Sequence, residues 1–173
     1  MRANLWLLLV LLAFTVLWRV VPHALNMTPL AALALFAGAR SGHTGLAMAF
    51  PLGALLLSDL LLGFHATMPF VYGAMILIVL MGTLLRGRGM AAHVLAGVGG
   101  SLSFYFITNF GVWLTAGYYS PDLTGLLASY VAGLPFLWKT MAGDFFFVVM
   151  FFGLFAMQAQ YLSDRRETRV KAG

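Results

Sequence analysis

The run LWLLLVLLAFTVLW, residues 5–18, carries no ionisable side chain, and further apolar runs of similar length follow it as far as residue 161. Such runs have to be withdrawn from water. A soluble domain manages this by covering its core with charged residues, which make up about a quarter of an ordinary chain. Here they make up 9% of 173 residues, against 62% hydrophobic, so there is too little polar surface to cover a core in water. Lipid is the solvent that suits this chain. A membrane-crossing helix takes about 20 residues, so the length predicts one domain: an all-α integral membrane bundle of about six short-looped transmembrane helices.

The boundaries follow from punctuation. Apolar runs predict helices over residues 5–21, 28–40, 44–62, 68–85, 90–113 and 136–161, with a basic tail over 162–173. Thr28-Pro29 reads as an N-cap followed by proline at the first helical position, and RSGH and RGRG read as turns. The short apolar piece 123–131 is too short to cross, so it is expected to lie in the interface or to re-enter. The N-terminal residues imitate a secretory signal, but no small-x-small cleavage site follows and the run ends in Trp18-Arg19. It reads as a retained first helix.

Basic residues set the orientation. With the N-terminus inside, the inner loops hold Arg2, Arg40 with His43, Arg86 and Arg88, and the tail holds Arg165, Arg166, Arg169 and Lys171. The outer loops have no lysine, and Arg19 alone lies at their boundary. Both termini are therefore expected in the cytoplasm, with the chain in a bacterial inner membrane. The net charge of +5 reads as a topology signal and anionic-lipid contact, not as nucleic-acid binding.

The second helix is too short to cross alone. Residues 28–40 rise only about 20 Å against a hydrocarbon core near 30 Å. The preceding segment VPHALNMT is therefore expected to dip into the outer leaflet as irregular backbone, which is tolerated there only when buried in protein or lining a wet cavity.

Ionisable residues at membrane depth need a partner, a water path or a task. Arg19, Asp59, His65, Asn109, Lys139 and Asp144 all fall in the outer half, and His93 is the exception near the inner end. An ion path needs polar groups along its whole length, so this layout predicts a pocket open outside and closed below. Arg19 and Lys139 can also reach the headgroups by snorkelling. Asp144, about 12 Å below the outer end of its helix, cannot; its bland alternative is an interhelical pair, with Arg19 as a candidate partner. His23 and His65 read first as interfacial hydrogen-bonders. Most outer aromatics read as an interfacial belt, with Trp113 and Tyr118 singled out as a stacking wall for a flat ligand. Ala34 and Gly38, and Ala92, Ala96 and Gly100, form small-residue faces suited to close helix packing or to docking a membrane partner.

The chain has no cysteine, which excludes thiolate chemistry and disulfides, and it lacks short-spaced metal-ligand, nucleotide-loop and hydrolase motifs. No resident metal, no cofactor and no enzyme activity are expected.

The blocks RVVPHALNMTPLAALALFAGA, PLGALLLSDLLLGFHATMPFVY, SLSFYFITNFGVW and YVAGLPFLWKTMAGDFFF together resemble a family of small bacterial membrane proteins with a domain of unknown function, usually described as transport proteins. That family in turn looks like the substrate-capture (S) component of energy-coupling-factor (ECF) transporters. The resemblance implies six helices, cytoplasmic termini and an outward pocket for a micronutrient or vitamin, with the solitary cobalamin type nearest. In that type a cysteine ligates the corrinoid cobalt; with no cysteine here, His65 is the substitute it implies. S components commonly dock an energising module of coupling protein and ATPases through an AxxxA pattern in the first helix. This chain has only Ala13 in residues 5–18, which leaves docking to the small-residue faces of helices 2 and 5, or no module at all.

The sequence thus predicts an outward small-molecule site formed by Arg19, His23, Asn26, Asp59, His65, Asn109, Trp113, Tyr118, Lys139 and Asp144, within the lipid bilayer. A non-transporting structural or assembly subunit is the first alternative. An ion-coupled secondary transporter is the second, and it requires carboxylates continuing to the cytoplasmic side, which are missing.

Overall fold

The computed structural model describes residues 3, 5–22 and 27–172, without the side chains of 166, 167 and 169–172. Among the described residues there are six helices: α1 (Leu5–Val20), α2 (Leu30–Arg40), α3 (Thr44–Leu62), α4 (Met68–Leu84), α5 (Met90–Thr115) and α6 (Leu123–Ala172). Short turns make successive helices antiparallel. One end of the bundle gathers Arg40, the start of α3 and the end of α4: Ala3 N–H donates to the Arg40 carbonyl at 2.9 Å, and Arg86 Nε donates to the Gly38 carbonyl at 3.0 Å. The opposite end holds Arg19, the α3–α4 turn and the α5–α6 turn.

The short helix α2 is the axis of the fold. All ten residues from Leu30 to Ala39 are buried, and α1, α3, α4, α5 and α6 all pack on it. At 11 residues it rises about 16 Å, half the thickness of a hydrocarbon core. Its wrapping accounts for this, because a helix enclosed by protein has no apolar thickness to match. Small residues permit the enclosure. A Cβ on Gly38 would run into the Val79 carbonyl of α4, and one on Gly82 into the Leu35 carbonyl of α2. The α2 small-residue face is thus consumed inside the bundle, which is the packing use of the two the sequence allowed and leaves this face unavailable for docking a partner. The α5 face is used similarly, with Gly100 against Ile78 and Gly97 against Val148.

The lower half of the bundle, toward Arg40, is filled by Phe36 meeting Phe151, Phe152 and Phe155 edge-on at 5.1–6.3 Å. Fully buried Phe147 adds Phe14 and Trp18 to the same packing. His93 is fully buried against Phe152.

Three helices, α3, α5 and α6, are long and apolar enough to cross a membrane, and α1, α2 and α4 are shorter apolar helices. Leu56, Leu57, Leu60 and Leu61 of α3 and Phe145, Phe146 and Val149 of α6 face outward, while Ser58, Asp59, Ser101 and Asp144 are buried. An exterior this apolar, with these polar side chains turned inward, suits lipid contact.

Two boundaries differ from the sequence reading in ways that matter. Helix α2 begins at Leu30, not 28, with Pro29 at the cap position and no side-chain cap. The sixth helix is not confined to 136–161. It runs continuously from Leu123 to Ala172 with Pro135 inside it, so the piece 123–131 is the first part of the sixth helix and not a separate segment. Packing overrides the proline: Tyr105 Oη donates to the Tyr130 carbonyl at 2.5 Å and Ser129 Oγ to the Asn109 carbonyl at 2.8 Å, holding the first turns of α6 against α5. Asp122 caps this start, its Oδ1 accepting from Gly125 N–H at 2.7 Å and Ser120 Oγ at 2.9 Å. These bonds hold its carboxyl below the ordinary carboxylate range.

Candidate functional site

Above the phenylalanine-filled half, the helices part around two adjoining open lobes of about 170 and 330 Å³. The inner lobe lies over the N-terminus of α2. Leu30 and Ala31 line its floor and Thr28 its edge, with Arg19 from α1, His65 from the α3–α4 turn and Asp144 from α6. The outer lobe runs between α5 and the first part of α6, where Thr108, Asn109 and Ser129 bring neutral polar groups among Val112, Phe136 and Leu137. Val71, Phe104 and Thr140 line both lobes, so the two adjoin along these three side chains.

Arg19 is held from behind. Its Nη2 donates to Asp59 Oδ1 at 2.7 Å, with Arg19 16% and Asp59 2% exposed. Tyr72 Oη donates to Asp59 Oδ2 at 3.1 Å. Both oxygens of the buried carboxylate are therefore engaged, and the guanidinium is fixed in orientation. Such a pair is hard to break, because removing one partner strands a buried charge. Arg19 Nε is buried with no hydrogen-bond partner among the described residues.

Asp144 is 3% exposed and does not pair with Arg19, contrary to one sequence expectation. Its bonded neighbour is Ser101, whose Oγ lies 2.7 Å from Asp144 Oδ2 and 3.0 Å from the Gly97 carbonyl. A hydroxyl has one hydrogen, so it can serve only one of these acceptors at a time. With Asp144 ionised, Ser101 donates to it; with Asp144 protonated, the carboxyl donates to Ser101 and Ser101 to Gly97. The site therefore accommodates both states of the acid.

The described residues just before α2 reach into the bundle. Trp18 Nε1 donates to the Met27 carbonyl at 2.8 Å, and Met27 fills the space over Gly143, where an added Cβ would come within 2.9 Å of it. The described end of VPHALNMT is thus threaded between α1 and α6 beside the inner lobe. His23 and Asn26 lie outside the described residues.

Of the remaining expected site residues, His65 stands at the inner lobe with Nδ1 2.7 Å from Thr67 Oγ1, leaving Nε2 as the ring nitrogen available to a ligand. Asn109 lines the outer lobe, its Nδ2 donating to the Tyr105 carbonyl at 2.8 Å. Asp59 acts through Arg19 and lines neither lobe. Lys139 is exposed on the outside of α6. Trp113 and Tyr118 also line neither lobe: Trp113 Nε1 donates to the Ser120 carbonyl at 3.0 Å, and Tyr118 is 82% exposed. They cap the hairpin instead. The aromatic walls are Phe104, Tyr105, Tyr119 and Phe136. Sequence reasoning missed Phe104, Ser101 and Thr140, which are neither ionisable nor near a helix end; an i, i+4 count from Asp144 to Thr140 would have found the last.

The fold and cavity define a class: a six-helix bundle with an apolar exterior, three helices able to cross a membrane, and a mixed polar and apolar cavity open at one end. The chain belongs to DUF6580, a family of unknown function whose model matches residues 1–166. No curated protein and no solved structure matches it.

Proposed function

We propose that this protein is the substrate-capture component of a membrane transport system, lying in a bacterial inner membrane with both termini cytoplasmic and its cavity facing outward. The observation that carries this reading is the contrast between the two halves of the bundle. The open half has two adjoining lobes, one where Arg19, Asp144 and His65 converge and one lined by Asn109; the other half is plugged by Phe36, Phe147, Phe151 and Phe152. A cavity of a few hundred Å³, mostly apolar with a few converging polar groups, is the usual form of a small-molecule site. Being blind, it binds without conducting, and release to the other side requires the helices to move.

The ECF S-component resemblance supports a micronutrient or vitamin as cargo. The lobe volumes favour one smaller than a corrinoid, which the two lobes together do not enclose. His65 would meet a cobalt centre only at that mouth. An energising module of coupling protein and ATPases is the expected partner. With α2 wholly enclosed, such a module would dock on the outer faces of the longer helices.

The direct test is mass spectrometry of small molecules released from the detergent-purified protein, paired with uptake of the identified compound in cells lacking and overproducing it. A stoichiometric small molecule whose uptake follows expression supports capture. Purified protein with nothing bound, and no compound whose uptake depends on it, would sink the reading. The second reading is a non-transporting subunit, favoured by the Arg19–Asp59–Tyr72 tie between α1, α3 and α4. It predicts a stable larger complex that fails to assemble without this chain.

A further inference from the structure

The inner lobe holds two charge-bearing groups that do not satisfy each other. On one side Arg19 commits Nη2 to Asp59, while its Nε is buried with no partner among the described residues. On α6, Asp144 is 97% buried and, among the described residues, takes a hydrogen bond on Oδ2 alone. Both line the same 170 Å³ space, and the ion pair formed there is Arg19 with Asp59, not with Asp144. Buried polar groups are nearly always satisfied. Here the missing partners are an acceptor at Arg19 and a donor at Asp144, in a space too small for more than a few heavy atoms at each.

We infer that the inner lobe takes the head group of a small zwitterion, with its carboxylate on Arg19 and its ammonium on Asp144. The inference rests on the capture reading and names the chemistry of the cargo. A ligand that is only an anion would leave the buried Asp144 opposing it. A ligand that is only a cation would face the Arg19 guanidinium that lines the same lobe. The first turn of α2 adds the positive end of a helix dipole at the lobe floor, which suits a carboxylate beside Arg19. The rest of the ligand passes Phe104, Val71 and Thr140 into the outer lobe. That lobe has only neutral hydrogen-bonding groups (Thr108, Asn109 and Ser129) among Phe136, Leu137 and Val112. The body of the ligand is therefore uncharged, and apolar or aromatic.

The test uses the full chain purified in detergent, with calorimetry and thermal shift. The probes are L-phenylalanine, L-tryptophan, L-leucine and L-methionine, with phenethylamine and 3-phenylpropionate as counterparts of phenylalanine that lack one charge, and tryptamine and indole-3-propionate as those of tryptophan. At least one amino acid should bind, and a counterpart missing either charge should bind roughly tenfold to hundredfold more weakly, the range expected for losing one charge-assisted hydrogen bond. Asp144→Asn keeps the contact with Ser101 and should abolish the preference over the carboxylate-only counterpart. Arg19→Gln, made together with Asp59→Asn so that no buried charge is stranded, should abolish the preference over the amine-only counterpart. If none of the four amino acids binds, or the single-charge counterparts bind equally well, the zwitterion is overturned. A co-purified ligand lacking paired charges overturns it too, while leaving capture intact. Protein that binds and carries no small molecule at all removes the capture reading itself.

Discussion

A single methyl group at Gly82 should damage this fold more than most substitutions in its apolar core. Helices α2 and α4 meet backbone to backbone, and a Cβ at Gly82 would overlap the Leu35 carbonyl and lie 3.0–3.1 Å from Leu35 C and Ala39 N. Neither obstacle is a flexible side chain. The carbonyl belongs to a helix buried on every side, so α2 cannot retreat without disturbing the other helices packed on it. Overpacking of this kind costs up to about 3 kcal/mol. Replacing glycine by alanine within a helix returns roughly 0.5–1 kcal/mol, leaving a net loss of about 2 kcal/mol. For a chain of this size that lowers Tm by about 4–8 °C. The control is Gly73→Ala on the same helix, where nothing lies within 4 Å of the added carbon; there only the helix gain remains, and Tm should rise by roughly 1–4 °C. Thermal unfolding in detergent, followed by tryptophan fluorescence, measures both. Two variants shifting in the same direction would refute the close α2–α4 crossing and the central position of α2 with it.

Replacing Arg19 by alanine alone strands Asp59 and should destabilise the bundle by about 3–5 kcal/mol, whereas Arg19→Gln with Asp59→Asn should recover most of that in the same melt. Asp144→Ala should impair uptake of the ligand identified by mass spectrometry far more than Lys139→Ala, because Asp144 lines the cavity and Lys139 is exposed; equal loss, or a loss confined to folded yield, would count against a binding role. Single cysteines on this cysteine-free chain should label from outside at Ser120 and from inside at Gly87, and external labelling at Gly87 in intact cells would reverse the orientation and the pocket. The depressed Asp122 carboxyl stabilises the start of α6 above the ordinary carboxylate value of 3.8 and loses this as pH falls through its lower folded value. Hydrogen exchange at the Gly125 amide should therefore accelerate in that acid window beyond its intrinsic rate, and Asp122→Asn should flatten the response.

Apolar run length alone determined that this chain forms helices suited to lipid, and where five of the six begin and end to within two residues. It also determined the level of the polar groups, because a residue's position along an apolar helix sets its depth. Arg19, His65, Asn109 and Asp144 were identifiable as cavity residues for that reason. What lay beyond the sequence was everything that depends on how each helix is turned about its own axis. Arg19 has two buried carboxylates in the same upper half of the bundle, Asp59 and Asp144, and only the packing of α1 on α3 selects Asp59, 40 residues away. Trp113 and Tyr118 lie at the right height but face the hairpin turn, while Phe104, an unmarked residue in the middle of α5, becomes the wall shared by both lobes. The continuity of α6 through Pro135 has the same origin: a proline's local cost is read from sequence, but the hydrogen bonds from Tyr105 and Ser129 that hold the helix beyond it exist only once α5 is alongside. Depth is a one-dimensional property that the order of residues encodes directly, whereas rotation and partnership are settled by side-chain packing among all six helices at once.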